Sequence, residues 1–399
     1  MSCQNYLLSL SKKIDKNSLK GAKNFGLDDN MQEKDMKMFE YKLITTANAV
    51  DELCKKAFDE GIVSMDTEFM REKVYFAQLC LLQVAIGDEY FLVDTLAFSK
   101  PESIQPIAEV LESPHVIKIF HSCTQDVEVL SQHFNVEPKG MFDTQLAAGF
   151  CGHDGQIGYA NLVAEICGVE LDKSQTRTNW HQRPLSEKQL EYAVNDVVYL
   201  QALYEHFCTE LKKRQRYEWF EHEIVSLIRS AIDNHDPELA YKRLNGANMS
   251  AKKQSLLVFL AKLRETVAQA SDKPRPWVLK DADLYAVANI LPQSHKELFS
   301  LDIRAGFLKR NADQILDFIE SLEDQTPLVW PQSLPLTPEQ KHQVKLLSQA
   351  LNNVATETGV SRSIIGNRKD IEAFVGGRDA KFLHGWRVDL IGDSLSSLM

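Results

Sequence analysis

The chain has 399 residues, 44% of them hydrophobic and 25% charged, enough for two or three domains with a sizeable core in each. No apolar run approaches the roughly 18 residues that would suggest a membrane span, and the polar N-terminus lacks the apolar stretch and small-residue cleavage site of a signal peptide. Seven scattered cysteines without a CxxC pair speak against structural zinc and a disulfide framework, and for reduced thiols in a cytoplasmic protein.

The net charge of −11 discourages a polyanionic partner until its distribution is considered. Residues 209–280 hold 14 Lys and Arg against 9 Asp and Glu, a local balance of +5, which leaves −16 on the remainder. That asymmetry suits a basic module guiding a polyanion towards an acidic, metal-filled site.

In chain order, residues 1–38 are polar, carry Lys12, Lys13, Lys16, Lys20 and Lys23, and lack apolar periodicity, so they read as a flexible extension; Met36 or Met38 is a candidate start. Structured sequence begins at Phe39. Residues 62–65 form a short apolar run after Gly61, expected to be a buried strand. Segments 78–86 and 90–93 flank Gly87-Asp88-Glu89 and predict a hairpin. A helix is expected over 102–111, a second buried strand over 116–120 and a helix over 125–133. A short strand or helix entry follows at Met141, and a long helix over about 186–207. Three meandering strands followed by alternating helices and strands predict an α/β domain, a mixed sheet with helices on its faces, over residues 39–216.

Beyond Arg216, strand signals almost vanish. Residues 218–232, 251–270, 281–290 and 311–322 read as amphipathic helices. A segment with four prolines, 326–338, reads as a linker, with further helices over 339–358, 368–374 and 386–391. Two all-α units are therefore expected, 217–325 (with its lead-in helix) and 326–399.

The chemistry is carried by acids. Asp66 and Glu68 follow the first buried strand at i and i+2, so on extended backbone they face the same way. They repel each other unless a cation sits between them. Asp126 falls in the first turn of the helix after the second buried strand, where a helix N-terminus favours an acid. Tyr192 and Asp196 lie at i and i+4 on one helix face. Each alone has an ordinary structural explanation. Together, four carboxylates and a phenol in the order DxE, D, YxxxD offer hard oxygen ligands for two Mg²⁺ or Mn²⁺ ions. Such a pair suits in-line attack on a phosphodiester.

These motifs resemble ribonuclease D, a member of the 3′→5′ exonuclease superfamily defined by four acids and a tyrosine in the third motif. The resemblance extends through Ile44-Thr-Thr, Asp66-Thr-Glu-Phe-Met-Arg, Gln78-Leu-Cys-Leu-Leu-Gln, Phe142-Asp-Thr-Gln, residues 171–180, Arg183-Pro-Leu-Ser-Glu and residues 192–200. The helical remainder is similar to two HRDC domains, at about 241–322 and 337–394. Asn179 departs from the family, which often has Asp there; all four acids and Tyr192 are present.

The resemblance implies a ribonuclease H-like fold and 3′→5′ exoribonuclease activity releasing nucleoside 5′-monophosphates, with precursor tRNA as substrate and two divalent ions as cofactors. It implies that Asp66, Glu68 and Asp196 hold the ion that activates water, that Asp66 and Asp126 hold the ion on the leaving oxygen, and that Tyr192 orients the water. Lys173 and Arg177 are candidate phosphate contacts, and Tyr75 with Phe76 a candidate base-stacking platform. Lys212, Lys213, Arg214, Arg216, Lys242, Arg243, Lys252 and Lys253 are candidates for tracking an RNA backbone. The partners expected are RNA and no membrane, with a monomer as default. A 3′→5′ DNA exonuclease and an inactive nucleic-acid scaffold stay open as alternatives.

Overall fold

The computed structural model describes residues 39–171, 178–323, 329–330 and 335–396. A six-stranded sheet organises the N-terminal half. Its strands are β1 (Tyr41–Ile44), β2 (Ile62–Met70), β3 (Gln78–Ile86), β4 (Glu89–Val93), β5 (Ile117–Phe120) and β6 (Met141–Asp143), in spatial order β1-β4-β3-β2-β5-β6. The expected hairpin is β3–β4, its turn passing through Gly87 at φ 57°, where a side chain would be strained. Strands β2, β3 and β4 form the antiparallel meander. Strand β1 crosses to the far edge and runs parallel to β4, while β5 and β6 extend the other side in parallel.

The helices of this half are α1 (Ala47–Glu60), α2 (Pro106–Glu112), α3 (Thr124–Phe134), α4 (Thr144–Phe150), α5 (Tyr159–Cys167), α6 (Glu187–Val198) and α7 (Leu200–Lys213). The helix expected over 102–111 is shorter, because Pro106 suits a first helical position and starts α2 there. Side chains alternate across the sheet. Val63, Met65, Leu82 and Val84 pack with Leu53, Ala57, Ile107 and Val110 on the α1–α2 face. Leu81 and Leu92 meet Ala193 and Val194 of α6 on the opposite face.

Two readings of the sequence are corrected here. Strand β2 does not stop before the acids but runs through them to Met70, because Phe69 and Met70 continue to pair with Leu79 and Gln78 around a bulge at Glu68/Phe69. The long helix expected to 207 is broken at Tyr199. The Tyr159 hydroxyl donates to the Asn195 carbonyl (3.0 Å) and accepts from the Tyr199 N–H (3.2 Å), the two groups a continuous helix would have joined.

The helical half comprises α8 (Tyr217–Asp233), α9 (Ala251–Ala270), α10 (Arg275–Val278), α11 (Asp281–Ile290), α12 (His295–Phe299), α13 (Ala305–Glu320), α14 (Pro338–Thr358), α15 (Arg362–Ile365), α16 (Arg368–Val375) and α17 (Trp386–Ser396). Helices α9–α13 enclose a separate apolar core around Leu256, Leu260, Leu284, Phe307 and Ile315. Helix α8, expected as the lead-in to that unit, instead places Phe220, Ile224, Ile228 and Ala231 in the core of the sheet domain. Its apolar stripe finds a wider partner surface there, against α3, α4 and β6.

The last helices join that same core through Leu351, Ile365 and Phe382. Arg387 binds the buried Glu223 of α8 (2.6 Å) and the carbonyls of Ile364 and Ile365 (3.1 Å each). The proline-rich connector is pinned where described: the Val329 and Trp330 N–H groups donate to Gln254 (2.8 Å each). The described cysteines are unpaired, and among described residues no helix is long and apolar enough to cross a membrane.

Candidate active site

The four candidate acids are carried by three elements, and three of them converge. Asp66 and Glu68 project from β2 onto the face covered by α6, and Asp196 meets them from that helix. Ligand oxygens of Asp66, Glu68 and Asp196 all lie within 4.8 Å of one another. Asp126, 7% exposed, sits in the first turn of α3. Thr67, between the two β2 acids, donates its hydroxyl to Asp126. Tyr192, one turn before Asp196, hydrogen-bonds it.

Local sequence fixes this arrangement. Ser186 and Gln189 form a capping box that starts α6. Asp143 accepts from the backbone N–H of Ser122 (3.1 Å) and Cys123 (2.8 Å), closing the tight β5–α3 turn in which Ser122 takes φ 61°. The same carboxylate caps α4 through the N–H of Gln145 and Leu146. The Phe142-Asp-Thr motif thus fixes the turn that starts α3, and with it the place of Asp126.

Two supporting residues, one of them within the Arg183-Pro-Leu-Ser-Glu motif, were assigned no role from the sequence. Arg183 pairs bidentately with Asp94 (2.7 Å for both bonds) and donates to the Cys80 carbonyl (2.8 Å), anchoring the segment of Trp180 to the sheet. Trp180 in turn packs 6.2 Å from Tyr192, ring to ring. Tyr159, wedged into the helix beside Asp196, is the other. Its phenol is held well above the usual range by burial and then by the Asp196 charge.

Crowding shifts the acids. Burial, then the charges of Asp126, Asp196 and Glu68, raises Asp66 well above the usual carboxylate range. Burial, with Asp196 and Asp126, pushes Glu68 up to about 9. Burial likewise raises Asp196, against the opposing hydrogen bond from Tyr192. Asp126 is raised to about 6 by burial, moderated by the Thr67 hydroxyl. Asp196 Oδ2 is buried and has no hydrogen-bond partner among the described residues. An orphaned carboxylate oxygen in a pocket of mutually repelling acids fits a cation-binding site.

A 3′-5′ exonuclease family model matches residues 41–212, and an HRDC domain model matches residues 253–319. Ribonuclease D of Jannaschia sp. (strain CCS1) is 33% identical over 361 residues, covering 88% of this chain and 92% of that protein. The chain belongs to the ribonuclease D family. Ribonuclease D of Shewanella sp. (strain ANA-3) is 30% identical over 375 residues, covering 92% and 95%. The crystal structure of Escherichia coli RNase D, an exoribonuclease involved in structured RNA processing, superposes with a TM-score of 0.76 at 27% identity, covering 90% of this chain and 98% of that one. Like the ribonuclease D enzymes it matches, the chain is a 3′→5′ exoribonuclease.

Other residues singled out in the sequence fall elsewhere. Lys173 and Arg177 lie outside the described residues, as does the 1–38 extension. Tyr75 cannot offer a ring to a terminal base. It is 4% exposed, belongs to the core of the HRDC-bearing unit, and its hydroxyl is engaged by Arg275 (2.9 Å) and Gln269 (3.0 Å). The neighbouring Phe76 is the exposed ring of the two. Among the basic candidates, Arg216 is buried and bonds the carbonyls of Phe150 (2.5 Å), Thr358 and Gly359 (3.3 Å), an architectural task. Arg243 leans towards the buried Glu265 at 3.6 Å.

Proposed function

We propose that this ribonuclease D trims RNA from the 3′ end by two-metal hydrolysis, releasing nucleoside 5′-monophosphates, and that its natural substrates are tRNA precursors. The observation that carries the mechanism is the convergence of Asp66, Glu68 and Asp196 within 4.8 Å, with an orphaned buried oxygen on Asp196. Asp66, Glu68 and Asp196 would hold one ion, and Asp66 with Asp126 the second. Bound Mg²⁺ or Mn²⁺ would neutralise the cluster and stabilise the attacking and leaving oxygens of an in-line displacement.

The protein's own groups have distinct tasks in this reading. Glu68 and Asp196 aim their oxygens from opposite elements, so strand–helix packing sets the spacing of the site. Tyr192, anchored by its bond to Asp196, would orient the attacking water rather than remove its proton. Asp126 keeps one oxygen on Thr67 and would meet the second ion from the first turn of α3. The HRDC domain at 253–319, with α14–α17 as a second HRDC-like unit, would hold the body of the RNA while the 3′ end enters the site. Lys212, Lys213, Arg214, Lys242, Lys252 and Lys253 are proposed contributors of phosphate contacts.

The family-level expectations carried into this proposal are a cytoplasmic location and a monomeric state. The deciding experiment uses purified protein with 3′-tailed tRNA and matched DNA, in Mg²⁺, Mn²⁺ or chelator. Stepwise mononucleotide release from RNA that stops with chelator supports the proposal. Internal cleavage, or activity without divalent ions, overturns it, and equal rates on DNA overturn the substrate assignment.

A further inference from the structure

Strand β3 places Gln83 directly opposite Asp66 in the antiparallel register. Facing pairs share one side of a sheet with Cβ atoms roughly 4.5–5.5 Å apart, a gap a glutamine arm spans. Gln83 is fully buried, at 0% exposure, beneath the α6 face with Leu81 and Leu92 as neighbours. Neither its Nε2 nor its Oε1 has a hydrogen-bond partner among the described residues. For folding alone, an apolar side chain of equal volume would serve this position better.

We propose that Gln83 is a positioning residue for Asp66, donating an amide N–H to its carboxylate once divalent ions hold the cluster. The inference rests on the reading of Asp66, Glu68 and Asp196 as ion ligands. An ionised carboxylate only accepts hydrogen bonds and has more lone pairs than one or two ions occupy. Asp66 is the acid shared by both proposed ions, so its orientation matters most. The chemistry of the neighbour is restricted. A lysine would compete with the ions for the acid, and a glutamate would add to the repulsion. A primary amide donates without carrying charge, which is what a ligand's supporting group needs.

The test compares the full-length protein with Gln83→Met and Gln83→Leu, both uncharged, of similar size and unable to donate. Three quantities are read: the melting temperature in chelator, the rise in melting temperature on adding Mn²⁺, and the Mg²⁺ concentration giving half-maximal activity, with kcat and KM for RNA separated. The expected result is a chelated melting temperature equal to or above wild type and a smaller Mn²⁺-induced rise. Half-saturating Mg²⁺ should increase about tenfold or more, with kcat falling at limiting Mg²⁺ and KM for RNA unchanged. Wild-type Mg²⁺ demand and Mn²⁺ response in both variants overturn the proposal. So does a lowered chelated melting temperature in both, since the amide would then be a structural anchor. A wild-type protein whose melting temperature ignores Mn²⁺ overturns the metal reading itself, and this inference with it.

Discussion

The Tyr75 hydroxyl, on the loop that leaves the catalytic strand β2, donates to the fully buried carboxylate of Glu265 in the HRDC-bearing unit. Arg275 binds the same carboxylate through Nε (2.6 Å), and Asp272 accepts from the N–H groups of Tyr75 and Phe76 (3.0 Å each). Helix α9 thereby holds the loop that begins three residues after Glu68. The HRDC-bearing unit and the exonuclease domain share a charged, desolvated joint.

Tyr75→Phe keeps the ring but removes the hydroxyl that donates to Glu265 and accepts from Arg275 and Gln269; the lost bond to the charged acid alone should cost about 1.5–3 kcal/mol. Glu265→Ala should cost more, about 3–5 kcal/mol, because it strands Arg275 without its acid. Urea titrations of the full chain check both values. Stabilities within 0.5 kcal/mol of wild type, a rough limit for neutral surface changes, would show that the joint contributes little.

This joint also marks what the sequence concealed. The candidate site was legible because its spacing is local: two residues along a strand for Asp66 and Glu68, four along a helix for Tyr192 and Asp196. The helical half was legible because its apolar periodicity is local too. Tyr75 and Phe76 form a local pattern equally suited to stacking a base and to filling an interface. Only Glu265, 190 residues on, decides between them. The break at Tyr199 has no glycine or proline to announce it; its cause is a hydroxyl from Tyr159, 40 residues earlier. The extent of β2 was missed for a similar reason, since Phe69 and Met70 are held by partners on β3.

Tyr159→Phe tests the wedge beside Asp196. Without the hydroxyl, the Asn195 carbonyl and Tyr199 N–H can close the ordinary helical bond, straightening α6 into α7 and swinging Asp196 away from the β2 acids. Misplacement of a reacting group by about 1 Å can cost up to about 100-fold in rate. A fall in kcat of at least about tenfold is expected with KM for RNA unchanged. Steady-state kinetics on a short single-stranded RNA provides the check, and a wild-type kcat would show that the kink does not set the position of Asp196.

Thr67→Val preserves shape and removes the hydroxyl that Asp126 accepts. That hydrogen bond favours the ionised acid and holds Asp126 down against burial, so its loss moves Asp126 above its present value of about 6. Metal ligands must be deprotonated to bind. The acidic limb of the pH–activity profile should therefore move to higher pH in Thr67→Val, with the plateau at high pH less affected. A limb in its wild-type position would show that Asp126 does not govern metal loading.

The raised acids also set a sign for stability. Glu68 is held at about 9 in the folded protein, and Asp66 and Asp196 are raised as well, against roughly 4 for carboxylates in the unfolded chain. Between those values the folded state binds more protons than the unfolded one, so stability falls as pH rises through the window. Chelated protein should melt at progressively lower temperature from pH 5 to pH 9, a window taken roughly from these two limits. Below the unfolded value the acids are protonated in both states, and this contribution is fully present. Saturating Mn²⁺ should reverse the trend, because cations bind the ionised cluster and stabilise the folded state in proportion to their affinity. Asp66→Asn removes one charge from the repelling set and should flatten the chelated curve while weakening the response to Mn²⁺. Melting curves of both proteins across pH, with and without Mn²⁺, separate electrostatic strain in the acid cluster from any titration elsewhere in the chain, since only the former responds to metal and to Asp66→Asn together.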